Sequence, residues 1–269
     1  MKNLLHIFKH GVLSLSLLGL MWLSACLSAD AASTSELRFQ RLSALGADQL
    51  STLSLLQDRQ GFVWIGTNNA GLYRFNGYNS EKFQNQANNP ASLPHDRISA
   101  LFEDKEGRIW AGTQNGLARF NPETNDFTRF IFDQGPSNQR IIKAIVSDGK
   151  DGLWLATWGG LQHFDPSTGK FILYAHDPAR SDSLGKNDLN AIAVDQQGGV
   201  WAGTWPAGID YLPPGSNSFR HFRIDDDSAP DSKLNIVRSL YIDEQQHLWM
   251  GTENGVVRWN TKTEWANRR

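Results

Sequence analysis

Little in this sequence is spaced for catalysis. Its seven histidines are scattered, His6 and His10 near the start and the others about one to a repeat, and none falls into H-E-x-x-H or a similar metal-ligand spacing. Asp225, Asp226 and Asp227 concentrate negative charge, but they lack the loop pattern of a calcium site and read as a solvated linker. No G-x-S-x-G, P-loop or dinucleotide fingerprint occurs, so no catalytic, metal or cofactor residue is assigned. A carboxylate pair held across neighbouring sheets leaves no mark in sequence spacing, and that alternative stays open. The residue types that suit recognition are Trp158 and Trp205, with Asn68, Asn69, Gln114, Asn115, Glu253 and Asn254 at corresponding turns. Amphipathic rings beside amides stack on a sugar face and hydrogen-bond its hydroxyls. Local loop packing, or contact with a neighbouring domain, is the competing reading.

The elements that must position these side chains come from a repeat. Trp64-Ile65-Gly66-Thr67 recurs at Trp110, Trp154, Trp201 and Trp249, with 46, 44, 47 and 48 residues between successive tryptophans. An aspartate precedes each tryptophan by six residues: Asp58, Asp104, Asp148, Asp195 and Asp243. A glycine and a short strand-like run follow, as in Gly116-Leu117-Ala118-Arg119-Phe120. One copy reads as four strands. In the second copy these are Ile98 to Phe102, Arg108 to Thr113, Leu117 to Phe120 and Phe127 to Phe130. Between them lie the Asp104-Lys105-Glu106-Gly107 turn, a Gln114-Asn115-Gly116 turn and a longer turn from Asn121 to Asp126. No useful stretch has a helical period.

A four-stranded unit of about 40–45 residues predicts an all-β chain: a β-propeller, or an open propeller arc, of five four-stranded blades. A blade has two faces to bury, and radial stacking buries both. The five repeated tryptophans then fill the wedges between blades, and the glycine two residues later lets neighbouring backbones approach. Hairpins alternate ends, so the Asp-x-x-Gly turns share one face. The turns after W-x-G-T share the other with the long inter-blade linkers, and that second face carries Trp158 and Trp205. Leu37-Arg38-Phe39-Gln40-Arg41-Leu42 reads as an isolated outer strand that closes the ring by completing the last blade, which removes exposed edges.

The ends carry their own signals. Lys2 and Lys9 precede an apolar run from Val12 to Leu23, so residues 1–31 read as an export signal rather than a span. Two processing sites compete. Leu23-Ser24-Ala25-Cys26, directly at the end of the run, has the form of a lipobox with Cys26 as the lipidated residue; Ala29-Asp30-Ala31 has the form of ordinary cleavage. Cys26 is the only cysteine, which leaves the propeller, residues 36–263, without disulfides or thiol ligands. A formal net charge of −2 offers no basic field for a phosphate backbone, which excludes nucleic acid as a partner.

The pattern of apolar strand, Asp-x-x-Gly, Trp-x-Gly-Thr and Gly-Leu-x-x-Phe resembles the two-component regulator propeller repeat, most clearly from Leu55 to Thr67 and on to Phe75-Asn76-Gly77. The linkers Asn89-Pro90-Ala91-Ser92-Leu93 and Asp177-Pro178 to Ser183-Leu184 agree with that family's inter-blade connections. The resemblance implies a periplasmic sensor module ahead of a β-sandwich, a membrane span and a histidine kinase or diguanylate cyclase output domain. It implies a periplasmic ligand, often a carbohydrate, and a homodimer of the full-length sensor. The chain departs from that plan: Asp151 and Gln246 replace the turn glycine, Ala156 replaces the W-x-G-T glycine, and residues 264–269 end the sequence where a fourth strand is expected. A truncated sensor is the expectation, joined to the membrane only by a lipid anchor or a missing downstream span. The alternatives are a free-standing envelope lipoprotein that binds proteins or glycans and, behind it, a propeller lyase.

Overall fold

Each repeated aspartate builds the hairpin it starts. In the computed structural model, which describes residues 50–224 and 233–261, Asp58 Oδ1 accepts the Gln60 and Phe62 backbone N–H groups at 3.0 and 2.9 Å. Asp104 does the same for Glu106 and Arg108, and Asp195 for Gln197 and Gly199. The carboxylate thereby replaces backbone partners in a tight turn. Its other oxygen faces the following strands. Asp58, Asp104 and Asp243 accept the indole N–H of Trp64, Trp110 and Trp249 at 2.7, 2.7 and 2.8 Å. The aspartates are therefore more than turn formers: each ties its turn to the side chains stacked on the blade.

Nineteen strands form five antiparallel sheets among the described residues. Blade one holds β1 (Thr52–Gln57), β2 (Val63–Thr67), β3 (Leu72–Phe75) and β4 (Ser80–Phe83). Blade two holds β5 (Ile98–Glu103), β6 (Ile109–Thr113), β7 (Gly116–Asn121) and β8 (Asp126–Phe130). Blade three holds β9 (Ile142–Ser147), β10 (Leu153–Thr157), β11 (Gly160–Asp165) and β12 (Lys170–Tyr174). Blade four holds β13 (Leu189–Val194), β14 (Val200–Thr204), β15 (Gly208–Leu212) and β16 (Arg220–Phe222). Blade five has three described strands rather than four, β17 (Val237–Ile242), β18 (His247–Thr252) and β19 (Gly255–Asn260). First strands pack on first strands from blade to blade, and the sheets form a propeller arc that is not closed. The export signal with Cys26, the segment 37–42, Asp225 to Asp227 and the tail 264–269 lie outside the described residues.

A cluster of buried side chains lies at each of the four junctions between consecutive blades. The closest approach lies at the W-x-G-T glycine. A Cβ on Gly112 would stand 2.5 Å from Ile142 Cγ2 of the next blade, and one on Gly203 would stand 2.7 Å from Val237 Cγ1. Every first strand answers with a register shift opposite this point, between Thr52 and Ser54, Ile98 and Ala100, Leu189 and Ala191, Val237 and Ser239, and likewise at Ile142 to Ala144. Such a bulge leaves one residue unpaired and re-aims its side chain. The skipped residues are Leu53, Ser99, Lys143, Asn190 and Arg238.

The linkers are pinned by their serines. Ser92 Oγ accepts the Gln86 N–H at 2.8 Å and Ser183 Oγ accepts the Asp177 N–H at 2.9 Å, which drops Leu93 and Leu184 into the core. Trp64, Trp110 and Trp201 are buried as their repeat position predicts. Two tryptophans depart from that expectation. Trp154 is half-buried, and Trp249 is 37% exposed because no described sheet covers the outer flank of blade five. Gln246, in place of the turn glycine, adopts φ 66° and accepts the Gln196 N–H of blade four at 3.2 Å, a bridge glycine cannot make.

Two outcomes follow from this packing. Trp110→Ala removes a fully buried ring and lowers stability by about 3–5 kcal/mol in chemical denaturation, whereas Trp249→Ala on the exposed flank costs less than half as much. The second concerns His221, whose two ring nitrogens face Asp210 Oδ1 at 2.7 Å and the Ser181 carbonyl at 3.0 Å. Two acceptors require both nitrogens to donate, so the Asp210 hydrogen bond raises the His221 pKa above its ordinary 6.5. That stabilisation is complete below the unfolded value and is lost as pH rises through the folded one. The melting temperature of wild type should exceed that of His221→Gln most at about pH 6, and the gap should shrink as pH rises through the raised value.

Candidate functional site

The turns after W-x-G-T are built alike. Each threonine hydroxyl donates to the carbonyl of the glycine at or just before the start of the third strand, for example Thr113 to Gly116 at 2.8 Å and Thr157 to Gly160 at 2.7 Å. Gly116 and Gly160 sit at φ 108° and 127°, which a side chain resists. The residue after the threonine then sends its backbone N–H to the carbonyl of the residue just ahead of the innermost strand. Asn68 bonds Ser51 at 2.9 Å, Gln114 bonds Arg97 at 3.2 Å, Trp158 bonds Ile141 at 3.3 Å, Trp205 bonds Asp188 at 3.0 Å and Glu253 bonds Ile236 at 3.2 Å. Five of the sequence-derived candidates thus occupy one equivalent position on five blades. Asn115 and Asn254 cap the same turns, through their backbone N–H groups to Thr113 and Thr252. Asn69 is exposed on blade one.

Trp158 and Trp205 both present exposed rings. Between them stand charges that the repeat pattern conceals. Lys143, the bulge residue of blade three, holds its ammonium 5.4 Å from the centre of the Trp158 ring. Burial and the positive charges of Arg97 and Arg238 push its pKa below the ordinary lysine value, against the opposing pull of Asp188. Burial pushes the Asp188 carboxyl upward, against Lys143 and Arg238. Arg238 in turn pairs with Glu253. Trp158, Lys143, Asp188 and Trp205 therefore form one contiguous patch at the inner ends of blades three and four, and Arg97, Arg238 and Glu253 flank it. Among the described residues nothing links Asn68 or Asn69 to this patch.

Sequence reasoning found the two rings and missed the four charges. The signal was present as offsets: Arg97 and Asp188 each stand seven residues before a repeated aspartate, and Lys143 and Arg238 each stand five before. Chemically the patch offers flat apolar faces, a half-buried cation and hydrogen-bond donors, which suits a ligand with a ring and a negative group. No group of three histidine, cysteine, aspartate or glutamate side chains arranged to hold a metal occurs among the described residues.

The model of the family described as two component regulator propeller matches residues 46–69, 92–115 and 232–254. These repeats belong to the two component regulator propeller family. Among solved structures, the extracellular domain of the putative hybrid two component system BT3049 from B. thetaiotaomicron aligns with a TM-score of 0.71 and 26% identity, covering 84% of this chain and 31% of that one. The corresponding domain of BT4673 from the same organism aligns with a TM-score of 0.53 and 19% identity, covering 79% and 38%. A streptogramin B lyase shares the fold at 12% identity and a TM-score of 0.60, covering 77% of this chain and 64% of its own. The chain thus spans about a third of the length of the extracellular domains it matches. A search of curated proteins gave no match. No helix among the described residues is long and apolar enough to cross a membrane.

The coupling of the charges can be measured directly. With lysines dimethylated and followed by NMR, Lys143 should titrate below the other lysines. Asp188→Asn should lower its midpoint further, and Arg238→Met should raise it. A Lys143 that titrates with the bulk in all three proteins would remove the charges from the site.

Proposed function

We propose that this chain is an exported ligand-sensing propeller, the input module of a two-component or diguanylate cyclase signalling protein, and that its ligand is a carbohydrate bearing a carboxylate. The supporting observation is the Trp158–Lys143–Asp188–Trp205 patch: two exposed rings flank a half-buried ammonium at the inner ends of two blades. A sugar ring stacks on an indole while its carboxylate meets Lys143, and Arg97 and Arg238 add attraction at longer range. Repeats of this family form input domains rather than catalytic ones. Binding acts by favouring one arrangement of paired sensor chains over another, and it shifts that balance only by its differential affinity for the two.

The Leu23-Ser24-Ala25-Cys26 sequence sustains a second reading, an envelope lipoprotein that binds proteins or glycans without an output domain. Incorporation of labelled palmitate into wild type and not into Cys26→Ser would favour it. The fold shared with a lyase supplies no residue roles, so the lyase reading rests on fold alone.

Calorimetric titration of the chain with trigalacturonate and with neutral cellotriose tests the primary reading. The acidic trisaccharide should bind more tightly. Trp158→Ala and Trp205→Ala should each weaken it by at least about tenfold, and Lys143→Met should erase the preference for the acid. Equal affinities in wild type and all three variants would reject the site.

A further inference from the structure

The four inter-blade wedges are variations on one design, and the differences among them isolate one. In the wedge between blades one and two, Trp64 packs on Phe120 of the next blade, with ring centres 4.9 Å apart. The Arg74 guanidinium lies 5.6 and 5.1 Å from the same two rings and fills the remaining space. Strand register aligns Arg74 with Arg119, His163, Tyr211 and Arg258, and aligns Phe120 with Phe164, Leu212 and Trp259. The wedge between blades three and four therefore receives the short His163 where others have arginine or tyrosine, and the branched Leu212 where others have an aromatic ring. Its turn is also unbraced. Arg59 reaches from blade one to the Lys105 and Asp104 carbonyls, Lys105 from blade two to Asp151, and Gln196 of blade four meets Gln246, whereas Gly149 holds the matching place in blade three.

The result is a cavity of about 220 Å³ lined by Trp154, His163, Tyr174 and the Pro213 to Asn217 turn. A second cavity of about 430 Å³ continues outward and shares Tyr174 and Asn217 with the first. The substitution at 163 also alters hydrogen bonding. Asp148 Oδ2 accepts from His163 Nε2 at 2.9 Å, and the Trp154 indole does not reach it as the indole reaches its aspartate in blades one, two and five. Among the described residues, neither Trp154 Nε1 nor the Tyr174 hydroxyl has a hydrogen-bond partner. The two rings lie 5.6 Å apart at 50°.

We propose that this wedge docks an extended, proline-bearing peptide segment of a partner protein. The walls present aromatic faces, the Pro213 and Pro214 rings, and two donors that have no partner among the described residues. A matching ligand brings an apolar ring and acceptors without donors. The tertiary amide at proline does so: it has a carbonyl, no N–H and a compact ring. A polyproline II segment keeps its carbonyls outside internal hydrogen bonds, and aromatic-lined grooves recognise it in this manner. The outward cavity gives the segment a path beyond the first ring.

The test follows the Trp154 indole N–H resonance during titration of the full chain with acetyl-hexaproline-amide, and separately with cellohexaose. The peptide should shift this resonance with a dissociation constant of about 1 mM or tighter, and cellohexaose should leave it in place. Leu212→Phe, which restores the ring present in the other wedges, should abolish the shift while leaving the melting temperature equal or higher. Tyr174→Phe keeps the ring and loses the donor, and should weaken binding at least about fivefold. If Leu212→Phe does not fold, Tyr174→Phe alone decides. No shift at roughly 10 mM peptide, an unchanged shift in the folded variants, or a response to cellohexaose instead would each overturn the proposal.

Discussion

The structure depends on one close contact, a glycine of one blade against an aliphatic side chain of the next. Ile142 closes on Gly112 and Val237 on Gly203 with no room for a Cβ between them. That contact fixes the spacing of the sheets at their inner ends. It leaves a wedge that widens outward, which is why the large rings follow on the outer side of the same strands. A register shift in the first strand accompanies it, and Ile142 and Val237 thereby turn toward the neighbouring blade while their strands stay paired. The unpaired residue created by the shift is the one free to serve a ligand, and in blade three that residue is Lys143.

The repeated aspartate shows how a single motif tolerates different neighbours. One carboxylate oxygen always serves the turn. The other takes the indole N–H when the adjacent third-strand residue is Arg74, Arg119 or Arg258, but takes His163 at 2.9 Å or the Tyr211 hydroxyl at 3.0 Å when those residues stand there. Trp154 and Trp201 pack on these residues, with ring centres 4.6 Å from His163 and 4.5 Å from Tyr211. A change at one position of the repeat thus redistributes polar and apolar contacts across the blade without disturbing the turn.

The blade architecture was legible because it is written five times. The strand Ile98 to Phe102 is one residue shorter than β5 at its end, Leu117 to Phe120 is one residue shorter than β7 at each end, and the all-β arc follows from the repeat alone. What a repeat conveys poorly is its own exceptions. The exposure of Trp249 depends on what covers its flank, not on its local sequence. The half-burial of Trp154 depends on Leu212, 58 residues away. Trp158 and Trp205 stood out as residue types foreign to the motif. Lys143 did not, because a bulge shifts the alternation by one and an inward or outward reading of β9 from the pattern gives the wrong side.

Stacked sheets behave as joints in series, and a load applied to such a column bends it at its softest member. Three of the four junctions are stiffened twice, by rings deep in the wedge and by a polar strap across the turns. The junction between blades three and four has an underfilled wedge and no strap, while the Trp158–Lys143–Asp188–Trp205 patch spans the same pair of blades at their inner ends. Any load passed between blades one to three and blades four and five therefore crosses the junction with the least filling and no strap.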